Sequence, residues 1–150
     1  MINKYGDMLA NIITGDIYLV TTNSYIRNDG ALVMGRGAAK QLATLYPKIP
    51  YELGRRIQHL GEYNIGVITD KVSGLSLGAF QVKYHFGDAA DLDLIKRSAD
   101  ELHKVACEDG RVFHVNFPGI GNGRVSFDSV YPLIERLPDN VCVWQFKERT

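Results

Sequence analysis

Apolar and polar positions fall into blocks whose spacing predicts alternating strands and helices. Short apolar runs bounded by turn-forming residues predict strands over residues 8–13, 17–20, 64–68, 77–82, 111–117 and 141–146. Apolar spacing and composition predict helices over residues 37–46, 51–60, 91–108 and 126–136. The run 17–20 is apolar throughout, which is typical of a strand buried on both faces of a sheet.

Glycine, proline and capping residues mark where these elements end. Helix-breaking positions are Pro47 with Pro50, Gly61 and Gly110. Ser126 is placed to cap the last helix at its N-terminus. Residues 70–74 predict a turn of hairpin type between two of the strands.

The alternation of strands and helices predicts an α/β protein with a mixed central sheet between two helical layers, a three-layer α/β/α sandwich. The chain has 150 residues, a length that suits one domain with a sizeable buried core. Because no repeat, linker or low-complexity segment interrupts the pattern, residues 1–150 are predicted to form a single domain.

Composition excludes several classes of function. Apolar residues make up 45% of the chain and charged residues 23%, with 17 acidic side chains balancing 17 basic ones. This balance disfavours a general polyanion-binding surface and so a nucleic-acid partner. Neither a signal peptide nor a membrane span is indicated, which predicts a cytoplasmic protein. The scattered cysteines and histidines predict neither a metal site nor a cofactor, and both cysteines are expected to be buried.

Two glycine-rich loops each follow a predicted strand and precede a predicted helix. They are the first glycine loop, residues 34–37, and the second glycine loop, residues 118–123. Glycine lets a ligand approach the backbone, and the first amides of a helix are unpaired donors beside a partial positive charge. At one edge of a sheet, two such loops would face one crevice, as a diphosphate and its sugar require. The alternative is two ordinary strand-to-helix turns.

Five segments in register carry a resemblance to a known family. They are Gly-Asp-Ile at 15–17, Thr-Asn at 22–23 with Val-Met-Gly-Arg-Gly-Ala-Ala at 33–39, Phe-Gln-Val-Lys-Tyr-His at 80–85, Ala-Asp-Leu-Asp-Leu-Ile-Lys-Arg-Ser at 90–98, and Pro-Gly-Ile-Gly-Asn-Gly at 118–123. In these segments the chain resembles a macro domain, the module that binds ADP-ribose. The match is to phage and bacterial members similar to the terminal ADP-ribose protein glycohydrolases.

The resemblance implies a role for most residues of the crevice. Asp16 would accept a hydrogen bond from the adenine amino group, or else cap its own turn. Asn23 would meet the distal ribose, an interpretation we favour over a role in tying down its own loop. Trp144 or Phe146 would lie under the adenine, with core packing as the alternative. The predicted ligand-binding residues are Asp16, Ile17, Thr22, Asn23, Met34, Gly35, Arg36, Gly37, Gly119, Ile120, Gly121, Asn122, Gly123, Trp144 and Phe146.

Lys83 is the candidate catalytic residue. The similar glycohydrolases use a lysine directly after this strand to attack the anomeric carbon of the ribose. Burial beside Phe80, Val82 and Tyr84 would depress its pKa and make it nucleophilic. Those enzymes also need an aspartate in the second glycine loop, where this chain has Gly123 and the nearest carboxylate in the sequence after it is Asp128.

The sequence therefore predicts binding of ADP-ribose or an ADP-ribosylated macromolecule. Hydrolysis of ADP-ribosyl conjugates is one activity that the resemblance implies, and the loss of the aspartate at Gly123 argues against it. The alternatives are a phosphatase acting on ADP-ribose phosphate and a non-catalytic ADP-ribose reader. The oligomeric state is open.

Overall fold

The structure, a computed structural model, describes residues 1–60, 68–69 and 74–148. Its strands are β1 (Ile2–Tyr5), β2 (Ile17–Thr22), β3 (Ile68–Thr69), β4 (Ser76–Gln81), β5 (Phe113–Asn116) and β6 (Val141–Gln145). Its helices are α1 (Gly37–Leu45), α2 (Ile49–Leu60), α3 (Leu92–Asp109) and α4 (Phe127–Ile134). None of these described helices is long and apolar enough to cross a membrane.

The strands form one mixed sheet in the order β1-β6-β5-β2-β4-β3. Five of them run parallel, and β3 pairs antiparallel with β4. In the middle, β2 lies between β5 and β4, and its first four residues are all buried. The apolar run 17–20 is therefore the central strand, as its pattern predicts.

Helices cover both faces of the sheet and enclose two separate cores. On one face, Ile17, Leu19 and Phe80 pack against α3 and α4. On the other face, Tyr18 and Val20 pack against α1 and α2. Because neighbouring residues of β2 point to opposite faces, a single strand contributes to both cores. The predicted three-layer α/β/α sandwich is confirmed.

The predicted strand over residues 8–13 is wrong. The first strand is β1, and residues 8–16 form turns and bends instead. Met8 and Leu9 are buried in the α1–α2 core, which explains their apolar character without a strand. Side chains hold this loop in place, since Asp7 Oδ1 accepts from the Leu9 amide at 3.1 Å and Tyr18 Oη from the Ile13 amide at 2.9 Å.

Predicted helix ends agree with the capping residues. Asp91 precedes α3 and accepts from the Leu94 amide at 3.1 Å, while Gly110 ends it with a left-handed φ of 80°. The Ser126 hydroxyl accepts from the Ser129 amide at 3.2 Å and caps α4. Pro50 lies in the first turn of α2, where proline is tolerated.

Some predictions fall on residues 61–67 and 70–73, which lie outside the described residues. They are the Gly61 stop, most of the strand 64–68 and most of the turn 70–74. Of the two cysteines, Cys142 is buried as expected, whereas Cys107 is exposed. Cys107 lies on the solvent-facing side of α3, where its Sγ is 3.7 Å from His103 Nδ1.

Candidate functional site

A crevice of about 960 Å³ opens at the carboxyl ends of the parallel strands. Thr22 of β2, Asn116 of β5 and Gln145 of β6 line its floor, each at the last position of its strand. Open α/β sheets bind their ligands at this edge, and the volume suits a molecule of nucleotide size.

The first glycine loop forms one wall. A Cβ built on Gly35 meets nothing within 4 Å, so the backbone there faces open space. Arg36 stands at the N-cap of α1 without a side-chain cap hydrogen bond, which leaves the first amides of the helix available to a ligand. Gly37 begins the helix with a φ of 60°.

The second glycine loop forms the opposite wall. A Cβ on Gly119 would lie 2.7 Å from a methyl group of Val125 and 2.8 Å from one of Ile95, so a larger residue would displace these side chains, and the φ of 79° favours glycine as well. The loop ends in a 3-10 turn at Gly121–Gly123. It approaches the first loop closely, because a Cβ on Gly37 would lie 3.3 Å from Asn122 Nδ2. The two loops therefore face one crevice.

Polar groups of the floor are held by the protein in different ways. Both polar atoms of the Asn23 amide bind its own loop, Nδ2 donating to Val33 O and Oδ1 accepting from the Tyr25 amide, each at 3.0 Å. Asn23 thus ties its loop while lining the crevice. The Thr22 hydroxyl is buried and has no hydrogen-bond partner among the described residues.

Lys83 follows β4 and reaches into the crevice, where its Nζ donates to the Asp88 backbone oxygen at 3.2 Å. Partial burial lowers the pKa of its amine, and the nearby Arg124 and Arg36 lower it further, whereas Asp88 opposes them. The direction of the Lys83 pKa shift agrees with the prediction from the sequence, with the two arginines adding to the effect of burial.

Trp144 is oriented by a buried histidine. Its Nε1 donates to His114 Nδ1 at 3.0 Å, so that ring nitrogen accepts and His114 Nε2 donates to Asp16 Oδ2 at 2.9 Å. Tyr18 stacks on the imidazole with ring centroids 4.4 Å apart. Because the indole N–H points into the protein, Trp144 offers the crevice its ring surface rather than a donor.

Several solved structures are similar to this protein over most of its length. The macrodomain of Mycobacterium tuberculosis DarG is 23% identical, covers 95% of this chain and 97% of that one, and has a TM-score of 0.72. The macrodomain of Thermus aquaticus DarG is 20% identical and covers 98% and 97%, with a TM-score of 0.69. The structure of Thermosipho africanus DarTG in complex with ADP-ribose is 17% identical and covers 91% and 39%, with a TM-score of 0.71.

The chain has the macrodomain fold. No protein-family model matches it, and no curated protein matches it at a significant level. The macrodomain fold therefore rests on structural similarity at low sequence identity.

Most residues predicted for the site line the crevice of this macrodomain fold. They are Lys83, Thr22, Asn23, Met34, Gly35, Arg36, Gly37, Gly119, Ile120, Gly121, Asn122, Gly123, Trp144 and Phe146. Phe146 is 78% exposed, so the alternative of core packing does not apply to it.

Asp16 and Ile17 do not line the crevice, which corrects their placement. Ile17 is the buried first residue of β2, and Asp16 precedes it at the opposite end of that strand. The Gly-Asp pair that follows the first strand is instead Gly6-Asp7, and both residues line the crevice. The error follows from the misplaced first strand, because β1 is exposed along its length and lacks an apolar run.

Sequence reasoning also missed several polar residues that line the crevice of the macrodomain fold, among them Gln41, Asp88, Asn116 and Arg124. Asn116 carried a usable signal, since it stands near the end of a predicted strand as Thr22 does. Its amide pairs with Thr21 of the neighbouring strand, accepting from the backbone at 2.9 Å and donating to the hydroxyl at 2.8 Å. Arg124 had no such signal in the sequence. It adopts a left-handed φ of 61°, a conformation that is rare in residues other than glycine and asparagine and is not expected at an arginine.

We expect His114→Phe to alter the emission spectrum of Trp144, the single tryptophan of the chain. Phenylalanine keeps a ring against Tyr18 but removes the acceptor for the indole N–H, so the indole loses its fixed orientation and becomes more hydrated. The measurement is steady-state fluorescence of the ligand-free protein, with a red shift expected. Asp16→Asn is the matched control, because an amide oxygen still accepts from Nε2 and leaves the spectrum unchanged. An unshifted spectrum in His114→Phe contradicts the orienting role.

Proposed function

We propose that the crevice binds ADP-ribose or an ADP-ribose derivative, with the diphosphate between the two glycine loops. The observation that carries this proposal is the approach of the loops across one crevice, at Gly37 and Asn122. Backbone amides of both loops and the uncapped start of α1 suit an anion with several acceptor oxygens.

Charge is distributed along the crevice as such a ligand requires. Arg36 and Arg124 line the crevice close enough to Lys83 to lower the pKa of its amine. Asp7 follows Gly6, whose Cβ position lies 3.9 Å from the Trp144 ring. Asp7 takes over the adenine role first assigned to Asp16, since an ionised carboxylate accepts from an exocyclic amine. Gln41 Nε2 holds the two carboxylate oxygens of Asp7 at 2.9 and 3.0 Å. Trp144 and Phe146 supply ring surface for the base.

The fold comparison supports the same ligand. The Thermosipho africanus DarTG structure, which shares the macrodomain fold, is a complex with ADP-ribose. The crevice volume of about 960 Å³ suits a ligand of that size, and we propose that its base, diphosphate and distal ribose meet Trp144, the glycine loops and Lys83 in turn.

Calorimetric titration with ADP-ribose is expected to give saturable binding with one ligand per chain. AMP is expected to bind more weakly, because it lacks the second phosphate and the distal ribose that reach the second glycine loop. Absence of a saturable signal with ADP-ribose contradicts the proposal. Equal affinity for AMP contradicts the placement of the distal ribose.

A second function, hydrolysis of ADP-ribosyl conjugates on a macromolecule, is favoured by the position of Lys83, whose side chain lines the crevice. The lowered pKa of Lys83 raises the fraction of neutral amine, which is the nucleophilic form. The alternatives are a phosphatase acting on ADP-ribose phosphate and a reader without chemistry. Release of free ADP-ribose from a radiolabelled ADP-ribosylated protein separates the hydrolase from both.

A further inference from the structure

We infer that Arg124 and Lys83 make one end of the crevice selective against positively charged groups, so that the site accepts ADP-ribose and rejects NAD⁺. The inference rests on the proposed function, because it takes the distal ribose to lie at Lys83. NAD⁺ contains ADP-ribose and carries in addition a cationic pyridinium ring on the anomeric carbon of that ribose. A site for ADP-ribose can therefore discriminate between the two by the charge that it presents beyond the sugar.

Both cationic groups are held at one turn of the crevice wall. Lys83 Nζ donates to the Asp88 backbone oxygen at 3.2 Å. Arg124 Nη2 donates to the Gly87 backbone oxygen at 3.0 Å. The turn is closed by the Asp88 amide, which donates to His85 O at 3.1 Å. Because the ammonium and the guanidinium bind consecutive peptide groups, both charges are placed at the same end of the crevice.

Arg124 is placed by its backbone as well as by its side chain. Its φ of 61° is left-handed, and among the described residues no other amino acid except glycine has such a φ. The Arg124 amide donates to Gly121 O at 3.0 Å, which attaches it to the second glycine loop. Residues in rarely populated backbone conformations cluster at functional sites. The guanidinium is thus fixed between the second glycine loop and the turn that carries Gly87.

These positive charges are not neutralised within the described part of the chain. Neither Arg36, Lys83 nor Arg124 forms an ion pair there, and the bonds of the latter two go to uncharged backbone oxygens. Asp88 is exposed and has a smaller effect on the Lys83 pKa than either arginine. The charge presented at this end of the crevice is therefore positive.

Lys83 shows how this environment acts on a further positive charge. Burial lowers the pKa of its amine, and Arg124 and Arg36 lower it further, because the protonated amine is repelled by the two guanidinium groups. Arginine side chains stay charged at every physiological pH. A pyridinium on the anomeric carbon would meet the same repulsion, whereas the hydroxyl group of ADP-ribose would not.

Size alone does not exclude a group attached to the distal ribose. Phe86, Gly87 and Asp88 line the crevice beyond Lys83, and all three are exposed. The crevice therefore opens to solvent at this end, and Phe86 offers ring surface to a planar group. An uncharged ring in place of the pyridinium should accordingly be accepted.

NADH is the matched probe for NAD⁺, since the two differ by one positive charge on rings of nearly equal size. Calorimetric titration of the wild type with ADP-ribose, NADH and NAD⁺ is expected to give at least about tenfold tighter binding of NADH than of NAD⁺ at low ionic strength. Raising the salt concentration from about 20 mM to about 500 mM should reduce that ratio to roughly threefold or less, because exposed charges are then screened.

Two variants assign the selectivity to named side chains. Arg124→Gln and Lys83→Gln each remove one cation and keep a polar side chain, and each should lower the ratio of NADH to NAD⁺ affinity by about threefold. The ratio is informative whatever happens to the affinity for ADP-ribose. Arg136→Gln is the matched control, because it removes the same charge at an exposed position that does not line the crevice. It should keep the wild-type ratio.

Several results would overturn the inference. Equal affinity of the wild type for NADH and NAD⁺ does so, as does a difference that persists at high salt or in both variants, which would assign it to ring shape. Binding of ADP-ribose without binding of NADH also does so, because the crevice would then reject by size. The salt series uses wild type alone and decides the inference even where a variant fails to fold. Wild type that binds no ADP-ribose rejects the proposed function itself.

Discussion

Gly35→Glu is expected to weaken ADP-ribose binding at least a hundredfold. Position 35 has an ordinary negative φ and open space around its Cβ, so the variant should fold normally. Its new carboxylate would stand in the crevice beside the start of α1, where the diphosphate is proposed to lie. Two like charges about 4 Å apart near a protein surface repel by roughly 4 kcal/mol, enough for that loss. Calorimetric titration measures the change.

Two controls make the Gly35→Glu result specific. Gly35→Ala adds bulk without charge and should retain most of the affinity. Gln58→Glu adds the same charge at an exposed position of α2 that does not line the crevice, and should bind as wild type does. Unchanged affinity in Gly35→Glu would remove the first glycine loop from the binding site. Equal loss in Gln58→Glu would point to net charge instead.

Lys83→Ala is expected to stop release of ADP-ribose from an ADP-ribosylated protein, with a loss of more than a hundredfold. Alanine removes the proposed nucleophile but no residue of either glycine loop, so ADP-ribose affinity should change only several-fold. Release is measured with a radiolabelled substrate and affinity by calorimetry.

Lys40→Ala is the matched control for Lys83→Ala, since Lys40 is exposed on α1 and does not line the crevice. It should release ADP-ribose at the wild-type rate. Release that survives in Lys83→Ala would exclude the amine as nucleophile and point to an activated water, with hydrolysis itself intact. Binding without release in wild type would leave the reader and the phosphatase as the remaining functions.

Sequence patterns predicted the parts of the fold that local chemistry determines. The helix α3 has apolar residues at three- and four-residue spacing and a capping residue at each end, so its extent follows from the chain itself. The strand β2 is apolar because both its faces are covered. The glycine loops could be predicted because their backbone conformations favour glycine.

What the sequence missed depends on contacts between distant residues. The strand β1 is an exposed edge strand with no apolar run. The apolar residues after it, Met8 and Leu9, are buried in a core and therefore gave the stronger strand pattern. That displacement led the prediction to Asp16, whereas the carboxylate that follows the first strand and lines the crevice is Asp7. The bond between Trp144 and His114 joins residues 30 positions apart and follows only from the register of β5 and β6.

Each glycine loop belongs to a different hydrophobic core. Met34 packs with α1 and α2, whereas Ile120 packs against the core of α3 and α4 on the other side of the sheet. ADP-ribose bound between the loops would therefore contact residues that belong to both cores. Because such a ligand binds the folded state alone, 100 times its dissociation constant would add about 2.7 kcal/mol to the free energy of unfolding. Ligand binding in the crevice would therefore stabilise both hydrophobic cores together.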